Sequence, residues 1–427
     1  MNLLTVDTID QAREKILKCT ASWLPEIETL PLDEIINSGN IQNRTLAEDI
    51  YAPSDIPGFR RATVDGYAVL AADTAAAGEA IPVFLKQAGT VSMGKPAGFS
   101  IKSGECACVP TGGMLPDGAD AVVMTEYCEA AAGSSAISVA IYEAAAAGAG
   151  MAGSDEDCKK GDLLLRRGTL IRPQEAGALA AAGITKVPVF VPLKLSIIST
   201  GDELVPPDKV PLPGEIRDIN THTLKALALK RGYHVGKSLV LQDDRDQLEA
   251  AIREEMTTSD VVIISGGSSQ GEKDMTAEII GRVAKPGVFT HGLAVKPGKP
   301  TILGWDEESK TLLAGLPGHP VSAMLVFELL LTFNNEQLII NNEELIMKNA
   351  ERSFPVPARL SSNIPGSPGK TVCQPVILRF DNGVYTAEPV FGKSGMITTL
   401  TRADGYIIID LNKEGLNRGE SVLVHLF

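Results

Sequence analysis

The chain has 427 residues, of which 44% are hydrophobic and 22% are charged, and its formal net charge is −14. This length exceeds what one hydrophobic core organises, so we expect a globular protein of roughly three to four domains. The negative charge argues against partners such as nucleic acid or an anionic membrane surface. The six cysteines do not indicate a disulfide framework. Because neither a signal-peptide pattern nor an apolar run of membrane-spanning length is found, we expect a cytoplasmic protein with reduced thiols.

The first 190 residues combine helical patterns with a long β-rich segment. Apolar spacing predicts helices over residues 8–19 and 33–38, and Asp7 or Thr8 can cap the first of them. Short apolar runs punctuated by Gly and Pro predict a small β domain over residues 53–153, with a first strand at residues 67–74.

A strand and a helix follow between residues 163 and 188, in a pattern similar to that of the first 50 residues. The β domain is therefore expected to be an insertion into a split first domain. The stretch from residue 130 to residue 153 is rich in Ala and Gly without an amphipathic pattern. It is either a flexible linker or a stretch in which some alanines stand for side chains that were not identified.

The second half of the chain changes character at Val191. Predicted strands and helices alternate from there over some 140 residues, which is typical of a doubly wound, mostly parallel sheet. A polar break near residue 334 leads to a final all-β segment over residues 354–427. Its predicted strands are short enough for a barrel or a sandwich.

Ligands of open parallel sheets bind beyond the carboxyl ends of the strands. Four predicted strands are followed by glycine turns, by acidic residues, or by both, and the four segments are residues 200–203, 243–244, 265–274 and 315–322. Since parallel strands end at one edge, the sequence predicts a single binding or catalytic cleft there.

The third of these segments, SGGSSQGEKD, joins a β-branched strand to an amphipathic helix that is expected to begin near Glu272. Backbone N–H groups and the helix dipole can hold an anion in this geometry. The candidate anion-binding residues are Gly266, Gly267, Ser268, Ser269 and Gly271. The spacing matches neither a dinucleotide fingerprint nor a Walker loop, and a plain connection between a strand and a helix would use the same glycines.

Acidic and basic residues near the predicted cleft suggest a metal-assisted anion site. Glu203, Asp243 and Asp274 are candidate ligands for a divalent cation, since carboxylate and phosphate oxygens suit Mg²⁺. The alternative for Asp274 is a helix cap. Lys296 and Lys299 occupy a proline-flanked loop and are either anion ligands or exposed surface lysines.

Two further features indicate less. Cys106 and Cys108 have the spacing of a strand face and are expected to be a buried pair of small side chains rather than half of a metal site. His319 is the one histidine in a proposed cleft loop, where packing against prolines is as good an explanation as catalysis.

Seven segments carry a resemblance to a known family. They are TVDGYAV (63–69), PTGGMLPDGADAVV (110–123), STGDELV (199–205), GEIRDIN (214–220), SGGSSQGEKD (265–274), VKPGKPTILG (295–304) and GLPGHPVSA (315–323). In this order they resemble the molybdopterin molybdenumtransferases of the MoeA type, which are related to the gephyrin E domain. The resemblance spans essentially the whole chain.

The resemblance implies four domains and an activity. The domains are a split elongated domain (1–50 and 155–188), an inserted β domain (51–154), a MogA-like, doubly wound, molybdopterin-binding domain (189–338) and a C-terminal β-barrel (345–427). The family's enzyme removes AMP from adenylylated molybdopterin and inserts molybdate, assisted by Mg²⁺ or Zn²⁺. The implied partners are a second copy in a homodimer, the molybdopterin adenylyltransferase and recipient molybdoenzymes.

The resemblance also assigns residue roles. It implies catalytic roles for Asp65, Thr111, Glu203, Asp243 and Asp274. Among the basic and proline positions, it matches Lys296, Pro317 and Pro320 to the substrate pocket. In the implied homodimer, Asp65 approaches the cleft of the partner subunit.

Some positions depart from the family pattern. Arg60 and Arg61 stand where many members have Asp or Asn, and Ala152 lies in a segment that lacks the expected arginine. Gly292 replaces a lysine of some members, and His319 replaces the commoner Asn. These departures leave room for a tungstate-preferring transferase or for a non-catalytic scaffold of the same fold. An adenylyltransferase is a weaker alternative, because that activity needs only one small domain.

Overall fold

The structure is a computed structural model that describes residues 6–21, 23, 26–37, 44–132, 137–266, 270–332, 355–381 and 383–427. For residues 131–132 and 270–274 it describes the backbone alone. The chain divides into two compact units. The first comprises Met1–Glu48, Arg167–Pro173 and Lys186–Phe427, and the second comprises Asp49–Arg166 and Gln174–Thr185. No helix among the described residues is long and apolar enough to cross a membrane.

The helices are numbered in chain order. They are α1 Ile9–Thr20, α2 Leu32–Asn37, α3 Ala71–Thr74, α4 Pro173–Ala181, α5 Asn220–Lys230, α6 Arg245–Met256, α7 Gln270–Val283, α8 Pro320–Phe327 and α9 Thr398–Arg402. A 3₁₀ turn covers Thr125–Tyr127, and a π-helical turn, Glu328–Thr332, extends α8.

The strands are numbered in the same way. Those before residue 191 are β1 Ile27–Pro31, β2 Ile50–Tyr51, β3 Arg61–Ala62, β4 Gly66–Val69, β5 Val83–Thr90, β6 Glu105–Val109, β7 Ala121–Met124, β8 Cys128–Ala132, β9 Ile137–Ile141, β10 Met151–Ala152, β11 Leu163–Leu165 and β12 Lys186–Phe190. The next are β13 Lys194–Thr200, β14 Leu204–Val205, β15 Ile216–Arg217, β16 His234–Leu241, β17 Val261–Ser265, β18 Pro286–His291, β19 Val295–Lys296, β20 Ile302–Asp306 and β21 Thr311–Leu316. The last are β22 Val356–Leu360, β23 Ile364–Pro365, β24 Thr371–Asp381, β25 Val384–Pro389, β26 Gly405–Ile409, β27 Gly415–Leu416 and β28 Ser421–Leu426.

A six-stranded sheet forms the centre of the first unit, in the order β16-β13-β17-β21-β20-β18. The first four strands are parallel, and β20 and β18 are antiparallel. The central strands are apolar on both faces, as burial between two helix layers requires. In β17, for example, Val261 and Ile263 belong to a core shared with α1, α5 and α8, whereas Val262 and Ile264 pack with α6 and α7. The predicted doubly wound, mostly parallel sheet is confirmed.

The C-terminal segment is the predicted barrel. The strands pair in the order β24-β25-β22-β28-β26, and a further pairing between β24 and β26 closes the ring of five strands. Alternating residues of these strands, such as Val376, Ala387 and Val424, fill the interior. Closure leaves the barrel without a free edge strand.

Helix α1 begins where the sequence predicts. The Thr8 hydroxyl accepts a hydrogen bond from the Gln11 N–H (3.2 Å), and the Gln11 side chain accepts one from the Thr8 N–H (2.9 Å), which is a capping box. Ile9, Ala12 and Ile16 then line one face, which is buried against the sheet of the same unit.

The second unit contains a six-stranded sheet in the order β7-β4-β6-β5-β9-β8. All neighbours are antiparallel except β5 and β6. Its strands bury two cores, one around Val109 and Val122 and the other around Val69, Cys106 and Val139. The expected small β domain is thus present as a sheet, and the four domain boundaries predicted above remain a prediction.

Three local predictions are wrong in detail. Residues 71–74 of the first predicted β-domain strand form α3 instead, and Asp73 accepts hydrogen bonds there from the Ser103 hydroxyl and the Gly104 N–H, both at 2.8 Å. The start of the alanine-rich stretch is not a linker, because β8 pairs with β9 over its whole length. Helix α7 begins at Gln270 rather than near Glu272.

Candidate functional site

The carboxyl ends of β13, β17 and β21 surround a cavity of about 230 Å³, which we call the strand-end cleft. Its wall includes Ser199, Thr200, Glu203, Asp218, Asn220, Ser265, Gly266, Gly318, His319 and Pro320. Three of the four predicted strand ends therefore contribute to one cavity. Most of its polar wall groups are oxygen atoms of carboxylates and hydroxyls.

Gly266 is required by the close approach of two strand ends. A Cβ atom added to it would lie 2.0 Å from the Thr200 Oγ1 atom and 2.7 Å from the Thr200 carbonyl oxygen, so no side chain fits. This packing favours a structural reason for that glycine. Of the other predicted anion-binding residues, Gly267, Ser268 and Ser269 lie outside the described residues, and Gly271 belongs to the first turn of α7.

Asn220 connects three segments at the floor of the cleft. Its side-chain nitrogen donates to the Ser265 hydroxyl and to the Gly318 carbonyl oxygen, both at 2.8 Å. Asn220 is 9% exposed and Ser265 is 1% exposed, so these bonds are largely shielded from water. The sequence argument missed Asn220, although its place at the start of α5, directly after the GEIRDI segment, was the available signal.

Two more hydrogen bonds hold the entry of α5. The Thr221 hydroxyl is 2.7 Å from the Ser199 hydroxyl, and the Asp218 carboxylate accepts from the Thr221 N–H at 3.1 Å. Ser199 and Thr221 are buried. The wall that faces the strand-end cleft is thus fixed by side-chain hydrogen bonds rather than by the sheet alone.

The predicted metal ligands are placed differently from one another. Glu203 lines the strand-end cleft, and its carboxylate turns back over Gly201, where an added Cβ would meet the Glu203 Oε2 atom at 2.7 Å. Asp243 does not line that cleft; its backbone N–H donates to the Asp202 carboxylate at 3.2 Å. Asp274 lies within α7, and its side chain is outside the described residues. Among the side chains that the structure describes, no three His, Cys, Asp or Glu residues form a metal-binding group.

A second cavity, of about 450 Å³, lies between the sheet and the barrel of the first unit, and we call it the lysine cavity. Lys296, Lys299, Lys370 and Lys393 line it, and among the residues that the structure describes no Asp or Glu does. The first two lysines were predicted, whereas the other two come from the barrel and were missed. Four lysines without a carboxylate among the described lining residues make this cavity a candidate site for an anion.

The two predicted prolines divide between the cavities. Pro317 lines the lysine cavity and Pro320 lines the strand-end cleft, while His319 between them lines both. The His319 Nδ1 atom is 2.9 Å from the Ser394 hydroxyl of the barrel. The polar partner therefore favours a specific hydrogen-bonding role over mere packing against the prolines.

Asp65 and Thr111 form a pair in the second unit. The Asp65 Oδ1 atom accepts from the Thr111 N–H at 2.6 Å and from the Thr111 hydroxyl at 2.9 Å. The backbone hydrogen bond, and to a lesser extent the hydroxyl one, holds the pKa of Asp65 below its usual range. Asp65 is therefore an exposed carboxylate that stays ionised at neutral pH, held in place by the turn that contains Thr111.

The positions that depart from the family pattern have different local surroundings. Arg60 donates to the Ala119 carbonyl at 2.8 Å, and Arg61 pairs with Ala152 between β3 and β10. Gly292 has a φ of 103°, a conformation in which a lysine would be strained, and its carbonyl accepts from the Asp7 N–H at 3.1 Å. The backbone conformation therefore explains Gly292, and Arg60 has a hydrogen-bond partner, whereas the pairing of Arg61 with Ala152 explains neither side chain.

The chain is thus a multidomain protein in which a doubly wound sheet has a polar cleft at its carboxyl edge and a barrel completes a cavity lined by four lysines, an arrangement suited to an anionic ligand. Three family models match this chain. They are "MoeA N-terminal region (domain I and II)" over residues 7–183, "Probable molybdopterin binding domain" over residues 196–336 and "MoeA C-terminal region (domain IV)" over residues 357–427.

Curated and solved relatives agree with these matches. A molybdopterin biosynthesis protein of Methanocaldococcus jannaschii is 34% identical over 393 residues, or 90% of this chain and 89% of that protein. The molybdopterin molybdenumtransferase of Haemophilus influenzae is 34% identical over 75% of this chain and 74% of its own. The crystal structure of a molybdopterin biosynthesis MoeA protein from Pyrococcus horikoshii matches 99% of both chains at 36% identity, with a TM-score of 0.77. The chain belongs to the MoeA family.

Proposed function

We propose that the chain is a molybdopterin molybdenumtransferase of molybdenum cofactor biosynthesis. In this reaction it removes AMP from adenylylated molybdopterin and inserts molybdate into the product. The names of the related proteins support the transferase activity. The order of the two chemical events and the residues assigned to them below are our proposal for this chain.

The observation that carries the proposal is the pair of adjacent cavities with His319 in the wall of each. The reaction needs one place for a phosphate-bearing pterin and another for a small oxyanion. The strand-end cleft, with backbone turns and carboxylates, suits the first, and the lysine cavity suits the second. In a chain of net charge −14, four lysines gathered around one cavity also explain how an anionic substrate is attracted.

The strand-end cleft fits a divalent cation in its donor chemistry. Glu203 and Asp218 contribute carboxylates, and Ser199 and Thr200 contribute hydroxyls. Oxygen donors of this kind suit Mg²⁺ better than Zn²⁺. We propose Glu203 as a ligand and Asp274 as a further ligand, whereas Asp243, which does not line the cleft, is dropped from the predicted ligand set. The bound cation would neutralise phosphate charge. The Gly318–Pro320 turn and Gly266 shape the floor of the strand-end cleft and would position the substrate there.

Asp65 and Thr111 are proposed to act in a homodimer. The pair is fixed by two hydrogen bonds within the second unit, and its carboxylate is exposed. An ionised, held and exposed carboxylate suits contact with a metal-bound or protonated group of a ligand presented by a second copy. The molybdopterin adenylyltransferase and the recipient molybdoenzymes remain the proposed partners before and after this step.

The proposal is tested by turnover. Purified protein is given adenylylated molybdopterin, Mg²⁺ and molybdate, and AMP release and active cofactor are measured separately. We expect Lys370→Gln and Lys393→Gln to raise the KM for molybdate about ten- to hundredfold, the worth of one charge-assisted hydrogen bond. AMP release at saturating pterin substrate should change little in both variants.

Matched controls make the result specific. Lys225→Gln removes an exposed lysine from α5, away from either cavity lining, and should leave both readouts unchanged. Asp274→Ala should slow AMP release, and a wild-type rate in that variant would remove Asp274 from the mechanism. Absence of both AMP release and cofactor formation in the wild type would reject the transferase proposal itself. A parallel series with tungstate separates the two oxyanions.

A further inference from the structure

One turn of the barrel contributes to both cavities of the first unit. Lys393 and Ser394 line the lysine cavity, and Gly395, the next residue, lines the strand-end cleft. The turn lies between β25 and α9, so it is carried by the barrel rather than by the sheet. A small movement of this turn would therefore change the shape of both cavities together.

The residues at the start of α8, which packs on the sheet, hold this turn in place. The His319 Nδ1 atom is 2.9 Å from the Ser394 hydroxyl, and the Val321 N–H donates to the Ser394 carbonyl at 3.2 Å. The His319 ring also covers Gly395, where an added Cβ would lie 3.4 Å from the His319 Cδ2 atom. Because the ring and the backbone amide both contact the same turn, its position follows that of His319.

The other side of His319 is tied to the floor of the strand-end cleft. Its neighbour Gly318 accepts a hydrogen bond from Asn220, which also binds the hydroxyl of Ser265 at the end of β17. A continuous series of contacts thus runs from Ser265 through Asn220 and Gly318 to His319. From there it continues to the Ser394 turn and the lysine cavity. Such contiguous contacts are a physical means of coupling two binding sites.

We infer that His319 is a positioning residue that couples ligand binding in the strand-end cleft to anion binding in the lysine cavity. The inference rests on the proposed function, because it requires a phosphate-bearing ligand in one cavity and an oxyanion in the other. A ligand that displaces the Gly318–Pro320 turn shifts His319 and, through Ser394, the lysine cavity wall. Lys393 moves with the barrel turn that contains Ser394, so the affinity for the oxyanion changes.

The coupling is measured by calorimetric titration of the full chain with molybdate, with and without saturating AMP. We expect AMP to change the molybdate Kd at least fivefold, within the usual range of coupling between two sites. By reciprocity, molybdate must change the AMP Kd by the same factor, which checks the titrations against each other. His319→Ala and Ser394→Ala should bring the ratio of Kd values to within twofold of one.

Two variants distinguish loss of the hydrogen bond between His319 and Ser394 from a general effect of removing a histidine. His319→Asn places an amide group close to the position of Nδ1, so it can keep the bond to Ser394 and should retain most of the coupling. His234→Ala removes an exposed histidine at the amino end of β16 and should leave the ratio at the wild-type value. Unchanged tryptophan fluorescence in all variants verifies that the fold is kept.

The outcomes distinguish this inference from the function on which it rests. If the wild type turns over but AMP leaves the molybdate Kd within twofold, the coupling is absent and the inference is wrong. The same conclusion follows if His319→Ala keeps the full wild-type ratio. If neither AMP nor molybdate binds and there is no turnover, both the inference and the proposed function are rejected.

Discussion

Replacing Asn220 by Ala should loosen the floor of the strand-end cleft. The substitution removes two hydrogen bonds, to the Ser265 hydroxyl and to the Gly318 carbonyl, each of 2.8 Å. It leaves the Ser265 hydroxyl buried with one partner fewer. The effect therefore reports on the connection between the start of α5, the end of β17 and the turn after β21 rather than on the apolar core.

The magnitude follows from these two bonds. An intramolecular hydrogen bond contributes about 1 kcal/mol, with a spread of about 0.5, and a buried group left without its partner adds to the loss. We therefore expect Asn220→Ala to lower the free energy of unfolding by about 1–3 kcal/mol. Asn220→Asp should cost more, because a carboxylate would face the two oxygen atoms that now accept from the amide.

The assay is urea unfolding followed by tryptophan fluorescence. The chain has two tryptophans, Trp23 and Trp305, and their ring centroids are 5.9 Å apart within the first unit. The signal therefore reports on the unit that contains Asn220. Thr223→Ala, one turn further along α5, serves as a matched control for a change in helix propensity. Wild-type urea midpoints for both Asn220 variants would refute the stabilising role proposed for the two Asn220 hydrogen bonds.

Three other predictions concern single groups. Burial raises the pKa of the Cys373 thiol to about 12, so at pH 8 only about one thiol in ten thousand is ionised. Alkylation of Cys373 should therefore require unfolding, which mass spectrometry of labelled peptides can verify. The Glu328 side chain is 4% exposed and accepts from Arg231 at 2.7 and 2.8 Å, so Glu328→Ala should destabilise the first unit by about 3–5 kcal/mol in the same urea assay. Thr111→Val removes one of the two hydrogen bonds that depress the pKa of Asp65. An NMR titration should find that pKa raised but still below its ordinary value, because the backbone hydrogen bond remains. An unchanged pKa would mean that the hydroxyl bond is not formed in solution.

The parts of the fold that the sequence predicts well are those set by local patterns. The run of residues 261–264 is apolar on both faces, which favours a strand covered on two sides, and the capped amphipathic pattern of Ile9–Thr20 favours a helix. The alanine-rich segment before residue 133 lacks such a pattern. It becomes a strand because Ile137–Ile141 supplies a partner, and pairing between strands is a tertiary effect that local propensity does not contain.

The candidate site follows the same division. The glycines and acids after each parallel strand could be placed at one sheet edge, because strand direction alone determines that edge. Lys370 and Lys393 could not be placed beside Lys296, since closure of the barrel and its packing on the sheet bring them there. Asn220 was missed because a lone Asn at the start of a helix has many structural uses.

The proposed role of the lysine cavity gives a reason why a barrel accompanies the sheet in this chain. The carboxyl edge of a parallel sheet presents backbone N–H groups and loop carboxylates, but here its own loops contribute only Lys296 and Lys299 to the cavity. A small dianion such as molybdate is strongly hydrated, so two lysines at one side hold it weakly against water. In the proposed site, Lys370 and Lys393 of the barrel would add two further positive charges to the lining. The same barrel turn contacts His319, so the domain that completes the proposed anion site is also the one placed to respond to the strand-end cleft.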